Sequence, residues 1–228
     1  MHISKILRSA SFVALLVAGS VTAFGAVLTG NQCVGGSCAG TLDVFNNTPG
    51  ILLASRFSSF TALDDAGVAS YDGTVRAAVY RNSGNTLDFY YQFTNNVSSA
   101  DSVGRLTMTN FTGFTTDVGY RLDNWDGAGI FLTANQAALS TDRSSNGGTV
   151  GFGFGVLSRQ INPGETSATL VIRTNAINYS AGSVTTRNGA GAVWTAAAYD
   201  PATGVPEPGT VVLLGAGLVA LAAFRRRP

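Results

Sequence analysis

From about Leu42 to Tyr199 apolar and polar positions alternate, which is the period of a strand with one buried face. "TLDFYYQFT" sets Leu87, Phe89, Tyr91 and Phe93 on one face and Asp88, Tyr90, Gln92 and Thr94 on the other. It reads as a half-buried strand of strong β formers. "TVRAAVYR" sets Val75, Ala77 and Val79 against Arg76, Ala78 and Tyr80. "GRLTMTN" sets Leu106 and Met108 against Arg105, Thr107 and Thr109. "SATLVIRT" puts Ala168, Leu170 and Ile172 opposite Thr169, Val171 and Arg173, and "AVWTAAAY" repeats the pattern less clearly. Turn signals such as "YDG", "NSGN", "NWDG", "SNGG", "NPGE" and "RNGAG" separate the runs. "NSGN" is the best hairpin candidate. One weak helical stretch stands out, "TANQAAL", with Thr133 as its cap.

"TVGFGFGVL" is more distinctive. Val150, Phe152, Phe154 and Val156 line one face, and Gly151, Gly153 and Gly155 leave the other bare. A bare glycine face lets another group approach closely. Tight packing of a strand or loop is the plain reading; a flat ligand platform is the sharper one.

Short strands at this spacing predict an all-β fold, a single β-sandwich or jelly-roll-like domain of about eight to ten strands. We place it at 24–200, after a signal peptide at 1–23. Beyond Asp200 the stretch "DPATGVPEPG" loses all periodicity and reads as a Pro/Gly linker over 201–209. A short C-terminal transmembrane segment follows at 210–228.

Composition refines this picture. Charged residues make up only 12% of the chain, which suits a turn-rich β domain. The formal net charge of +1 hides a division. Lys5 and Arg8 stand near the start, and Arg225, Arg226 and Arg227 at the end. Between Phe24 and Gly209 nine arginines face thirteen carboxylates, a net of −4. Such a body offers no basic footprint for nucleic acid.

Lys5 and Arg8, a short apolar core over 12–18 and the small-residue exit Val21-Thr22-Ala23 form a secretory signal. The apolar core is too short to span a bilayer well. Export machinery and signal peptidase are therefore expected partners, with cleavage between Ala23 and Phe24. Its removal takes away His2 and Lys5, the chain's only histidine and only lysine. Ser-His-Asp, Cys-His and Ser-Lys systems then lack their base, and histidine metal sites are excluded. We expect no catalytic residue, no metal and no cofactor.

Cys33 and Cys38 in "CVGGSC" read as a small disulfide loop in an oxidising compartment, pinning the mature N-terminus. A zinc or redox reading lacks further ligands. Asp64, Asp65, Asp72, Asp123 and Asp126 cluster near turns, where aspartate ordinarily bonds backbone amides. "DNWDGAG" fails as a calcium loop because Trp125 stands where an oxygen ligand is needed; calcium at Asp64, Asp65 or Asp72 stays open. Tyr80, Tyr90, Tyr120, Trp125 and Trp194 are the candidates for a sugar-stacking surface. Asn46, Asn96, Asn110 and Asn178 each open an Asn-x-Ser/Thr triplet, meaningful only in a cell that glycosylates it.

The tail runs "VPEPGTVVLLGAGLVALAAFRRRP". As a helix its apolar run would reach about 21 Å, short of the bilayer's ~30 Å hydrocarbon core. The arginines predict a cytoplasmic C-terminus. Pro206-Glu207-Pro208, Gly209-Thr210, Leu213-Leu214-Gly215 and Arg225-Arg226-Arg227 together resemble the PEP-CTERM sorting signal. That resemblance implies an exosortase, a membrane transpeptidase-like protease, which acts near Pro206-Glu207-Pro208 and removes the helix. It also implies a Gram-negative cell that often makes exopolysaccharide. The prolines hold the segment extended, as a protease cleft requires.

These readings converge on an exported, non-enzymatic cell-surface or matrix protein, held briefly in the inner membrane and associated with exopolysaccharide or biofilm. Two alternatives stay open. A carbohydrate-binding module requires coplanar exposed aromatic rings, and an Asp-dependent glycoside hydrolase requires two carboxyls across a cleft.

Overall fold

The computed structural model describes residues 26–203, apart from 31, 125–128 and 156–158. Three short strands come first: β1 (Ala26–Leu28), β2 (Cys33–Gly35) and β3 (Asp43–Val44). Ten more follow: β4 (Ile51–Leu63), β5 (Ala69–Arg81), β6 (Leu87–Asn95), β7 (Val103–Met108), β8 (Thr116–Arg121), β9 (Ser140–Arg143), β10 (Val150–Gly153), β11 (Thr169–Thr174), β12 (Asn178–Asn188) and β13 (Val193–Ala202). They form two sheets. One has the order β1-β8-β11-β6-β5-β4, with β3 also on β8; the other has the order β13-β12-β7-β10-β9-β2. Every pairing is antiparallel except β3 with β8. The chain is a β-sandwich.

The alternation read from the sequence sets the core. Val75, Ala77 and Val79 of β5, Phe89, Tyr91 and Phe93 of β6, and Leu170 and Ile172 of β11 point inward from the first sheet. Leu106, Met108, Val150, Phe152 and Val184 meet them from the second. All are fully buried, and each large apolar side chain contributes about 1.5–3 kcal/mol by leaving water.

The polar faces depart from the expectation. β6 is buried on both faces rather than one. Tyr80, Tyr90 and Val171 on the outer face form a second cluster with Phe45, Ile130 and Phe131. The segment carrying Ile130 and Phe131 is held there by Gln92, which is fully buried. The Gln92 amide mimics a neighbouring strand: Nε2 donates to Leu132 O at 2.8 Å and Oε1 accepts from Leu132 N at 2.8 Å. The aromatic ring of Tyr90 on a nominally polar face is the sequence trace of this second layer.

"TANQAAL" forms no helix. Its amides are spent on tertiary partners instead: Ala134 N bonds Leu122 O, Asn135 N and Gln136 N bond Thr166 O, and Leu139 N bonds Gly153 O. Backbone donors committed outward leave no i→i−4 ladder.

Both open sides of the sandwich are closed. On one side the edge strands β4 and β13 meet, with Ser58 Oγ donating to Ala197 O at 2.8 Å and Tyr199 Oη to Ser55 O at 3.1 Å. On the other the first residues act as a strap: β1 pairs with β8, β2 crosses to β9, and β3 returns to β8. Arg143 of β9 fastens it. Its guanidinium donates to the carbonyls of Leu28, Phe111, Phe114 and Gly147 at 2.7–2.9 Å and to Thr116 Oγ1 at 3.1 Å.

Candidate functional site

Cys33 and Cys38 form the disulfide, with Cα atoms 5.8 Å apart. The loop turns through Gly35 and Gly36, both with positive φ. This staple sits on β2, the outermost strand of its sheet, and so anchors the strap, while Gly35 and Gly36 of its loop line a shallow cleft with Tyr120, Leu139 and Arg159.

The bare glycine face of "TVGFGFGVL" is covered. Only Val150–Gly153 are strand, since Gly155 adopts φ +88°; Val156 lies outside the described residues. Arg105 of β7 and Asp142 of β9 flank β10 and join across it at 2.7 Å, with the guanidinium lying over Gly151. An arginine side chain occupies the space a flat ligand would need.

The aspartates read as turn residues are engaged by nearby donors, but "YDG" is no turn: Asp72 lies inside β5, paired with Thr61. Asp64 Oδ1 accepts from Ala66 N and Val68 N at 2.9 and 2.8 Å. Asp72 accepts from Asn96, Ser98 and Ser99 side chains. Asp123 takes a bidentate pair from Arg121 at 2.9 Å. Asp65 is exposed, and Asp126 lies outside the described residues. Among the described residues no group of three or more His, Cys, Asp or Glu is placed to hold a metal.

Two carboxyls that sequence reasoning passed over are the perturbed ones. Asp88, 3% exposed, accepts from Asn82 Nδ2 at 2.8 Å. Burial raises its pKa to about 6, against opposing pulls from Asn82 and Arg173. Asp200, 0% exposed, faces inward from β13 and accepts from Asn110 Nδ2 at 2.6 Å. Burial again lifts it to about 6. Its presence in turn helps to hold the Tyr91 hydroxyl above its ordinary pKa, after burial itself. Nothing in a lone aspartate at the end of an alanine-rich run signals this.

Among the described residues the candidate sugar platform does not assemble. Tyr80 and Tyr90 are buried, Tyr120 is half-buried, and Trp125 lies outside the described residues. Trp194 keeps 40% exposure but lays its ring on Phe60, with centroids 5.8 Å apart and planes at 11°. Tyr179 is also exposed, yet it stands edge-on to Tyr199 at the far end of the β12–β13 hairpin.

β13 runs past Asp200 through Pro201 to Ala202, which pairs with Asn178. The described chain ends one residue later, at Thr203. The PEP-CTERM protein-sorting motif matches residues 204–227. The chain carries an exosortase sorting tail. No curated protein and no solved structure matches the chain.

The sorting tail marks an exported, membrane-transiting protein that is processed by an exosortase and ends at the cell surface. Pro206, Glu207, Pro208, the apolar run and Arg225–Arg227 fall inside the match, outside the described residues, as do Ala23, Phe24 and the rest of the signal segment. The tail begins two residues after the final strand, so a folded edge strand stands directly before the sorting site.

Proposed function

We propose that this chain is a non-enzymatic β-sandwich displayed at the cell surface and associated with extracellular polysaccharide. One observation carries the reading. A body closed on both sides, with Asp64, Asp72 and Asp123 engaged in hydrogen bonds, runs straight into a sorting tail. Delivery is the activity whose signal the chain carries. The tail is held with its C-terminus in the cytoplasm, and the exosortase cuts near Pro206-Glu207-Pro208. A low charge density and many exposed Ser, Thr and Asn side chains suit a hydrated polymer matrix, where hydrogen bonds rather than ion pairs carry weak contacts.

Removing residues 211–228 tests the delivery. The truncated chain is expected to cross the inner membrane but never to be held there, and to accumulate in the soluble periplasmic fraction rather than at the cell surface. Retention in the membrane fraction would overturn it. Binding of the exported body to purified exopolysaccharide tests the second half: weak, salt-insensitive retention on the polymer is expected, and elution identical to an unrelated β-sandwich would contradict it.

A further inference from the structure

We propose that the end of the sandwich from which the chain leaves rests on the lipid bilayer while the sorting tail is inserted, so that the body docks on the membrane before it is cut. The proposal rests on the tail being membrane-inserted, and it adds a contact made by the folded body.

The rim of that end can be traced by pairing. Ile51 pairs with Arg81, Arg81 with Leu87, Leu87 N bonds Ala176 O, and Asn178 pairs with the last strand residue, Ala202. Ile51 is 71% exposed on this rim and Ile177 is 60% exposed. Arg81 is exposed between them in the strand order.

Tether length fixes which end faces the membrane. Only residues 203–210 separate Ala202 from the apolar run that starts at Val211. Whatever their conformation, they reach no more than about 30 Å. The longest strands, β4 and β5, have 13 residues and run about 40 Å, so a sandwich standing on its opposite end would hold Ala202 farther from the bilayer than the tether reaches.

Charge agrees with that orientation. The opposite end carries Asp64, Asp65, Asp72, Asp101 and Glu165, offset in part by Arg187. The exit rim carries Arg81 in the open; just behind it Arg173 is paired with Asp117 and faces Asp88, and Asp200 is buried on β13. An anionic bilayer repels the carboxylate end more than this nearly balanced rim, where Arg81 is the exposed charge. Exposed apolar residues occur at the opposite end too, Val97 among them at 85%. The tether and the charge, rather than apolarity alone, select the surface. Ile51 and Ile177 then enter the headgroup region, as interfacial apolar side chains do.

The test uses the exported chain from Phe24 to Pro228, with its sorting tail, reconstituted into phosphatidylcholine–phosphatidylglycerol vesicles. A fluorophore is placed through Ile177→Cys, Ile51→Cys or Val97→Cys, leaving the native disulfide intact, and nitroxide-labelled lipids act as quenchers. Flotation first reports whether the tail inserts. Quenching several-fold stronger at 51 and 177 than at 97 is expected. A chain that floats but shows equal weak quenching at all three sites overturns the docking alone and leaves the rim to a protein partner. A chain that does not float overturns the inserted tail and the docking together.

Discussion

The carboxyl of Asp200 lies directly over Gly182 on the neighbouring strand, where any Cβ would overlap it. The glycine is the space into which a buried acid fits. Gly182→Ala forces either the carboxylate away from Asn110 or the strands apart. Neither group has room to move, so a loss of about 3 kcal/mol is expected, measured by chemical denaturation. Gly151→Ala is the contrast. It meets the Arg105 guanidinium, the mobile end of a part-exposed side chain. Displacing a surface ion pair costs less than about 1 kcal/mol. Equal losses from the two substitutions would contradict this distinction.

The body is expected to be more stable in mild acid than in mild alkali. Asp88 and Asp200 each have a folded pKa of about 6, above the ordinary 3.8. The folded state therefore binds more protons than the unfolded state between these values. Stability is greatest below the unfolded pKa and is lost as pH rises through about 6. Tm at pH 5 should exceed Tm at pH 8, and Asp200→Asn should shrink the difference. A Tm that climbs from pH 5 to pH 8 would refute the assignment.

Arg143 makes five donations, four of them to backbone carbonyls, and the one to Leu28 O ties the strap to the loops around Phe111, Phe114 and Gly147. Arg143→Ala removes all five donations, although Leu28 O keeps Thr116 Oγ1 and Phe111 O keeps Phe114 N as donors, and is expected to cost about 2–3 kcal/mol. Arg143→Lys restores charge but only three donors on a point-like group, so it should recover little. Limited proteolysis reads the consequence, with cleavage between residues 26 and 45 in the variant at protease levels that spare the parent. An unchanged digestion pattern would show that the disulfide and β1 suffice.

Much of the sandwich was legible in the chain because one face of β5, β6, β7 and β11 alternates cleanly. The hairpin at "NSGN" was legible too, because Asn82 and Asn85 supply the turn, the first through its side chain and the second through a positive φ. β4 was not, since an edge strand with Ile51, Phe57 and Leu63 all exposed keeps no clean period. The second layer on β6 and the failed helix at "TANQAAL" share one cause. Gln92 and Thr166 capture backbone groups from distant sequence, and no local pattern encodes such long-range bonds. The sorting tail was fully legible because its order of proline, apolar run and arginines is linear. The buried acids at Asp88 and Asp200 were not, because burial of a polar group is decided by what covers it.

The central claim is that the β body is delivered and its tail removed. Intact-mass analysis of the protein recovered from outside the cell tests it most directly. The account predicts a chain that begins near Phe24, keeps the Cys33–Cys38 disulfide and lacks everything from the apolar run through Arg225–Arg227. An exported protein that still carries Arg225, Arg226 and Arg227 would contradict it.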